Sequence, residues 1–307
     1  MTNHDEAKHP RATDGTWKNK HRDEPDNDGL AVVQLVSTPT TDPDGGIHWR
    51  TPGGLVHRED GPAAIRPDGI EMWYQHDVPH RADGPAIIRP DGGEDWYWEG
   101  KLHRVDGPAM TRSDGTEAWF QNDVLHRDDG PALTETDGSF EWWKHGKLHR
   151  TDGPAVIKPD GTQYWYVNGW KHRVDGPALS DRDGFEEWYL HGKRHRIGGP
   201  AIALRDGTCE WWEHDKQHRI DGPAVTSAEG YEEWWQDGER HRIDGPAIIS
   251  PSGFENWFQH DKQHREDGPA VTHSDGHLEW WEHDVRKLPE VETALTMVWR
   301  ARTPGDV

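Results

Sequence analysis

The chain has 307 residues, a formal net charge of −22 and only 31% hydrophobic residues. Low apolar content with high charge is typical of disorder, but 19 Trp, 34 Gly and 22 Pro combine large rigid side chains with turn formers and indicate a folded protein. The charge disfavours nucleic acid and membrane as partners, because phosphates and anionic lipids need clustered Lys or Arg. A single cysteine, Cys209, excludes an internal disulfide and a cysteine-based zinc site.

The N-terminal segment, residues 1–42, is polar and has no apolar stretch of signal-peptide or membrane-span length. We therefore predict a flexible tail and a cytoplasmic protein. Within this segment Asp14-Gly15, Trp17 and His21-Arg22 resemble an eroded copy of the repeat that follows. The stretch 44–49 resembles half a unit, which predicts a degenerate N-terminal unit in front of the regular array.

From residue 57 to residue 286 the sequence repeats with a period of 23 residues, without insertion or deletion. We number each unit from its first residue, His, at position 0. Position 1 is always Arg, positions 4 to 6 are Gly-Pro-Ala, position 12 is Gly and position 16 is Trp. Position 3 is Asp in nine units and Gly198 in the other. A strict period of this length predicts an array of stacked units across 43–286. The ten units begin at His57, His80, His103, His126, His149, His172, His195, His218, His241 and His264.

Each unit carries two turn signals, as in Asp160-Gly161 and Asn168-Gly169. Asp-Gly and Asn-Gly between apolar runs favour β-hairpins, because both residue pairs tolerate positive φ. We therefore predict an all-β fold, an elongated array of stacked β-hairpins of solenoid type.

Counting residues across two-residue loops at both turns predicts the cross-strand partners. Across the first turn, Val156 is expected opposite Trp165, and Ala155 opposite Tyr166. Across the second turn, Trp165 is expected opposite His172. The acidic residue at position 15 is expected to pair with the next Arg at position 1, as in Glu141 with Arg150, Glu187 with Arg196 and Glu233 with Arg242.

Two aromatic columns run along the array, at positions 16 and 17. We predict that position 16 forms a structural ladder of stacked indoles, and that position 17 points to the other face of the strand. Position 17 is then either a second buried layer or an exposed binding stripe, and its variation among Tyr, Phe and Trp favours exposure. The ladder is Trp73, Trp96, Trp119, Trp142, Trp165, Trp188, Trp211, Trp234, Trp257 and Trp280, and the candidate stripe is Tyr74, Tyr97, Phe120, Trp143, Tyr166, Tyr189, Trp212, Trp235, Phe258 and Trp281.

The His-Arg-x-Asp motif resembles a catalytic loop, but ten copies indicate a structural role, since an active site is normally one constellation. A ladder of His and Asp offers metal ligands. We favour the structural alternative, in which His stacks on Trp and Asp closes a turn. Arg is expected over an aromatic ring or paired with acid at position 3 or 15. The sequence predicts no catalytic residue, no metal site and no cofactor.

The C-terminal segment, residues 287–307, departs from the period. Pro289 stands at a plausible first helical position, and apolar residues follow at helical spacing. We predict a short capping helix over Pro289 to Ala301, because the last unit of such an array exposes an open edge.

Residues 44–286 resemble the MORN repeats, in the variant form found in bacterial, viral and phage proteins. The unit length, the turn positions and the aromatic strand all agree, whereas the His-Gly-x-Gly of the common form is replaced by His-Arg-x-Asp-Gly-Pro-Ala. The resemblance implies hairpin repeats that serve scaffolding, protein contacts and oligomerisation, with membrane association in some members. The residues that carry the resemblance are Trp142, Trp143, His145, Gly146, Lys147, His149, Asp160 and Gly161.

These observations favour a non-catalytic scaffold that binds a protein partner or self-assembles through an aromatic and acidic face. One alternative is a module whose rings stack on a sugar or another flat ligand. Another is an acidic decoy that mimics nucleic acid, as in host defence or phage biology. Exposed rings along one face would support the first two, and regular carboxylates over buried rings the third.

Overall fold

The computed structural model describes residues 36–287, and these residues form an all-β array without a helix. The predicted capping helix, Pro289 to Ala301, lies outside the described residues, and Lys287, the first residue of the predicted C-terminal segment, ends a strand. The eroded copy between Asp14 and Arg22 also lies outside them.

A continuous antiparallel sheet of 23 strands forms the spine of the array. Each unit contributes one strand at positions 7 and 8 and another at positions 14 and 15. Each of these strands pairs with the spine strand before it and the spine strand after it in the chain. The strands are Thr38–Thr41, Ile47–Arg50, Ala64–Ile65, Glu71–Met72, Ile87–Ile88, Glu94–Asp95, Met110–Thr111, Glu117–Ala118, Leu133–Thr134, Phe140–Glu141, Val156–Ile157, Gln163–Tyr164, Leu179–Ser180, Glu186–Glu187, Ile202–Ala203, Cys209–Glu210, Val225–Thr226, Glu232–Glu233, Ile248–Ile249, Glu255–Asn256, Val271–Thr272, Leu278–Glu282 and Val285–Lys287.

Short two-stranded hairpins run beside the spine, formed by positions 17 and 18 with positions 21 and 22 of each unit. In the last unit the corresponding residues continue the strand Leu278–Glu282 and pair with Val285–Lys287. The nine separate hairpins are Tyr74–Gln75 with Val78–Pro79, Tyr97–Trp98 with Lys101–Leu102, Phe120–Gln121 with Val124–Leu125, Trp143–Lys144 with Lys147–Leu148, Tyr166–Val167 with Trp170–Lys171, Tyr189–Leu190 with Lys193–Arg194, Trp212–Glu213 with Lys216–Gln217, Trp235–Gln236 with Glu239–Arg240, and Phe258–Gln259 with Lys262–Gln263.

The first turn of each unit has three loop residues, so the register predicted across it is wrong by one residue. Val156 pairs with Tyr164, and Lys158 closes the turn by donating to the carbonyl of Thr162. Gly161 has a φ of 89° and donates to the carbonyl of Lys158. This arrangement is a type I turn followed by a glycine in the left-handed region. The extra loop residue shifts the register, so the residue at position 7 pairs with position 15 and not with the predicted Trp at position 16.

The second turn has two loop residues, as predicted. Val167 pairs with Trp170, and the amide of His172 donates to the carbonyl of Trp165 over 3.0 Å. Both loop residues, Asn168 and Gly169, have positive φ, which is the requirement of the type I′ turn that suits a twisted hairpin.

Backbone hydrogen bonds join each hairpin to the hairpin of the next unit. Gly169 at position 20 donates to the carbonyl of Leu148 in the preceding unit over 2.9 Å, and equivalent bonds recur along the array. The amide of Arg150 also donates to the carbonyl of Tyr166 over 3.0 Å within one unit. The stacking of units is therefore encoded in the main chain as well as in the side chains.

The invariant alanines at position 6 form the most deeply buried column of the array. All ten have a relative exposure of 0%. Trp165 lies in register between two of them, because Ala155 is opposite it on one side and the Trp165 amide donates to the Ala178 carbonyl on the other. A larger side chain at position 6 has no space between two indole-bearing strands, and this explains the small residue there.

The N-terminal edge of the spine lies within the segment that we predicted to be the tail. Thr38–Thr41 pairs with Ile47–Arg50, and all four of its residues are exposed. Pro39 lacks an amide donor, which blunts the outer edge against further strand pairing.

Candidate binding faces of the array

The invariant Arg at position 1 lies against the invariant Trp of the preceding unit. Arg173 places its guanidinium carbon 3.9 Å from the centroid of Trp165, its Nε 3.3 Å from Asp175 Oδ1, and its Nη1 3.3 Å from the Pro177 carbonyl oxygen. A Cβ added to Gly176 would meet that guanidinium at 2.5 Å. The Arg side chain thus occupies the space that a Cβ at position 4 would take. We call positions 1, 6 and 16 the invariant face.

This contact recurs in ten Arg and Trp pairs at 3.8 to 4.3 Å, the first of which uses Trp49 of the N-terminal half-unit. The prediction of indoles stacked upon indoles is therefore wrong for nine of the ten predicted ladder residues, Trp73 to Trp257, each of which is covered by an Arg. Arg suits the position over the indole because its planar cation stacks on the ring while its N–H groups remain free to donate hydrogen bonds.

The unit with Gly198 shows which part of this contact is essential. Arg196 has no Asp at position 3, yet it lies 3.8 Å from the Trp188 centroid and bonds the Pro200 carbonyl over 2.9 Å. The ring and the carbonyl therefore suffice to place the guanidinium.

The predicted ion pairs between position 15 and the next Arg are not the ones that form. Glu141 lies 3.7 Å from Lys158, and Arg150 instead pairs with Asp152 at 2.9 Å. Position 15 pairs with position 7 on both of its sides, as Glu141 does with Leu133 and Val156, whereas Arg150 lies over Trp142 on the other face. The other two predicted acids likewise use different cations, Glu187 with Lys171 and Arg194, and Glu233 with Arg240.

In most units the His at position 0 bonds the backbone of its own second turn, and its ring lies against the side chain of that turn rather than on the Trp of position 16 as predicted. His172 Nδ1 accepts the amide of His191 over 3.0 Å, and the two imidazole rings lie 4.4 Å apart. Burial, and then the neighbouring His191, lower the pKa of His172. The amide bond fixes Nδ1 as an acceptor, so the neutral ring carries its proton on Nε2. Seven units show this bond, in His80, His103, His126, His149, His172, His218 and His241.

Positions 7, 9, 13, 15, 17 and 22 share the other face, which we call the variable face because its residues differ from unit to unit. Cross-strand pairing places position 17 beside position 22, as in Tyr189 with Arg194, and position 7 beside position 15. The ten rings of the candidate stripe are all half-buried, and so are the ten ladder indoles. Neither column is thus fully exposed or fully buried.

Carboxylates at position 15 bind the indole N–H groups of position 17. Trp212 Nε1 donates to Glu210 Oε2 over 2.8 Å, and cations at position 22 lie beside the same rings, as Arg194 does at 5.3 Å from the Trp212 centroid. The variable face therefore alternates rings, acids and bases along the array. The pairs of Trp with Glu are Trp143 with Glu141, Trp212 with Glu210, Trp235 with Glu233, and Trp281 with Glu279.

One carboxylate on the variable face is buried between two bases. Asp95, at position 15, has 4% relative exposure, and Arg89 and Arg112 each contact it over 2.5 Å. Arg112 belongs to the next unit, so this ion pair is a further bond between neighbours. The cost of burying the carboxylate is offset because both of its oxygens accept charged donors.

A row of exposed aliphatic side chains at position 2 was missed by the sequence analysis. Val174, Ile197, Ile220 and Ile243 occupy four consecutive units and are 73 to 81% exposed. With two strands per unit at about 4.8 Å each, the row spans roughly 30 Å. The signal was present in the sequence as four successive aliphatic residues at one position, but only the structure shows that position 2 faces solvent.

The last unit carries a cluster of three ligand-type side chains at the first turn. His273, His277 and Glu279, at positions 9, 13 and 15, offer ligand atoms that all lie within 4.8 Å of one another. Within residues 36–287 no other group of three His, Cys, Asp or Glu residues meets that condition. In the sequence, the candidate metal ligands were the recurring His and Asp of positions 0 and 3, whereas His at both positions 9 and 13 occurs only in the last unit.

The comparisons with known proteins leave the family open. No family model matches the chain, and no curated protein matches its sequence. Among solved structures, the chain is similar to the TCP10 domain of CPAP from Danio rerio, with 15% identity over 81% of this chain and 99% of that one, and a TM-score of 0.15. Among the described residues, no helix is long and apolar enough to cross a membrane.

Proposed function

We propose that this protein is a non-catalytic, MORN-like repeat scaffold that binds a protein partner through its variable face. The observation that carries the proposal is that one face of the array has the same residues in every unit, whereas the residues of the other face vary. Residues of the invariant face are the same in every unit and satisfy one another, as Arg173 does with Trp165 and the Pro177 carbonyl. The other face changes in every unit, and such variation is what specific recognition by a repeat array requires.

The His-Arg-x-Asp motif supports a scaffold rather than an enzyme, because its side chains are used in assembly. Arg covers the neighbouring indole, Asp bonds that Arg, and His accepts a backbone amide, as in Arg173, Asp175 and His172. The Arg contact recurs in ten units, the Asp bond in nine and the His bond in seven, which supports a structural module.

The chemistry of the variable face indicates the kind of partner. Half-buried rings with a carboxylate at the indole edge, as in Trp212 with Glu210 and Trp235 with Glu233, offer apolar area and negative charge together. Aromatic residues are enriched in binding hot spots. The net charge of −22 attracts a basic protein surface and repels a second copy of this chain, which favours a different protein over self-assembly.

The test uses a partner captured by the wild-type chain from its source cells, then purified. Two indoles and two carboxylates of the variable face are changed conservatively, with Trp212→Phe, Trp235→Phe, Glu210→Gln and Glu233→Gln combined. Phe occurs at position 17 in other units, as Phe120 and Phe258 do, so the fold is retained. We expect the dissociation constant for the purified partner to rise about tenfold or more, measured by calorimetry.

A matched control makes the same change in net charge elsewhere. Asp221→Asn with Asp244→Asn removes two carboxylates of position 3, which are 86% and 84% exposed. This control should bind the partner like the wild type. Equal weakening by both sets, no weakening by the first, or the absence of any protein that binds the purified chain directly, contradicts the proposal.

A further inference from the structure

We propose that His273, His277 and Glu279 form a binding site for a divalent transition-metal ion, with zinc as the best match. The site lies in the last described unit, on the variable face. The proposal of this site does not depend on the proposal that this face binds a protein. It is built from one turn and the strand that follows it.

The first turn of the unit places the three side chains on one face. His273 donates its amide to the His277 carbonyl over 2.8 Å, and Gly276 donates to the His273 carbonyl over 2.9 Å. The two histidines are therefore directly opposite each other across the turn, and opposite residues carry side chains on the same face. Glu279 follows His277 by two residues, which returns it to that face.

The distances between ligand atoms fit one small ion. His273 Nε2 lies 3.0 Å from Glu279 Oε1, and His277 Nε2 lies 3.8 Å from the same oxygen. Ligand atoms bound to zinc at about 2.1 Å in a tetrahedron are roughly 3.4 Å apart. The two distances to Glu279 Oε1 lie on either side of that spacing, and all three ligand atoms lie within 4.8 Å of one another.

Neighbouring rings hold the carboxylate and one imidazole in place. Trp281 Nε1 donates to Glu279 Oε2 over 2.8 Å, so this oxygen is occupied while Oε1 faces both histidines. The Phe254 ring of the preceding unit meets the His273 ring edge-on at 5.9 Å. Such surrounding contacts orient metal ligands and raise affinity.

The ligand set selects the metal. Two imidazoles and one carboxylate suit zinc and its neighbours in the transition series better than magnesium or calcium, which prefer oxygen. Three protein ligands leave a position for water, and the 57% exposure of the His277 side chain keeps that side open. The net charge of −22 also concentrates cations at the surface.

The repeat itself supplies substitutions for the test. Position 9 is Ser in two other units, Ser227 and Ser250, and position 13 is Thr in three, among them Thr208. His273→Ser with His277→Thr therefore replaces both imidazoles by residues that the fold accepts. In a competition assay of the full chain and zinc against a chromophoric chelator, we expect this variant to lose one equivalent of binding or at least about tenfold in affinity.

Two further variants separate the site from the background of other histidines. His283→Asn removes an exposed His of the same unit, and Asn stands at that position elsewhere, as Asn122 and Asn168. This control should bind zinc like the wild type. Trp281→Phe removes the hydrogen bond to Glu279 and should weaken zinc binding. In a separate measurement, the visible spectrum of the cobalt-loaded wild type should be that of a site with nitrogen and oxygen ligands.

Because zinc binding is measured on the purified chain, its outcome does not depend on any protein partner. Equal stoichiometry and affinity in the wild type and in the His273→Ser and His277→Thr variant would overturn the proposal. The same holds if His283→Asn weakens zinc binding as much as that variant does. If the double variant unfolds by circular dichroism, Glu279→Asn, which introduces the residue found as Asn256 in the preceding unit, gives the same comparison.

Discussion

Arg173 covers the indole of Trp165 although the two residues belong to different units, with 3.9 Å between the guanidinium carbon and the ring centroid. The same guanidinium reaches the Pro177 carbonyl of its own unit. Each Arg therefore fastens its unit to the one before, and the stability of the array depends on contacts between neighbours.

The first prediction concerns the space beneath this guanidinium. Gly176→Ala places a Cβ 2.5 Å from the Arg173 guanidinium carbon, and we expect it to lower the free energy of unfolding by about 1 to 3 kcal/mol. Urea unfolding followed by Trp fluorescence measures this change. Gly53→Ala is the control, since its added Cβ meets only Thr51 Oγ1 at 3.7 Å.

A double-mutant cycle tests the cause. In the Arg173→Ala background, Gly176→Ala should cost clearly less than it does in the wild type, because the atom that it displaces is gone. An unchanged cost would show that the backbone of position 4, and not the Arg, excludes Ala.

The second prediction concerns pH. Burial lowers the pKa of His172 below its ordinary value of 6.5, so the neutral ring is favoured in the folded chain. Stability from such a group is present above pH 6.5 and is lost as the pH falls through the lowered pKa. His57, His126, His195 and His241 shift in the same direction, mainly through burial.

We therefore expect the urea midpoint to be level above pH 7 and to fall as the pH drops below about 6.5. His172→Asn keeps an acceptor but does not titrate, and it should reduce the slope in this window. A second loss belongs below pH 3.8, where Asp152, whose pKa is lowered by its hydrogen bond to Arg150, takes up a proton. A midpoint that stays level down to pH 5 would contradict the account of the histidines.

The third prediction concerns Asp at position 20, which replaces Gly in some units. Asp123 has a φ of 66°, and its Oδ1 accepts the Leu102 amide of the preceding unit over 2.8 Å. Asp123→Ala keeps the backbone strain and removes the bond, and should cost about 1 to 3 kcal/mol. Asp123→Gly removes both the backbone strain and the hydrogen bond, so the free energy of unfolding should stay nearly unchanged. Equal effects of the two variants in urea unfolding would refute this explanation.

The fourth prediction concerns the aliphatic row. Ile197, Ile220 and Ile243 are 73 to 81% exposed, so changing all three to Thr, the residue of position 2 in another unit as Thr151, should leave the free energy of unfolding within about 0.5 kcal/mol per site. Removal of the apolar row should reduce association at high concentration, measured by light scattering. A large loss of stability would mean that these side chains are packed in solution.

The period and the turn signals determined the hairpin array from sequence, because Gly at positive φ and a strict 23-residue repeat leave few other structures. The second turn, such as Asn168-Gly169, was predicted with its register for that reason. Register across the first turn was not, because Asp160-Gly161 suits both a two-residue and a three-residue loop, and only the pairing of Val156 with Tyr164 distinguishes them.

The partners of the invariant residues were also decided only by tertiary structure. The sequence shows that Arg173, Gly176 and Trp165 recur together, but only the structure shows that Arg reaches Trp across a unit boundary and that a Cβ on Gly176 would meet the guanidinium. The cluster of His273, His277 and Glu279 depends on the same loop length. With a two-residue loop in the same sequence, His277 would lie opposite Ser274, and His273 would point to the other face of the sheet.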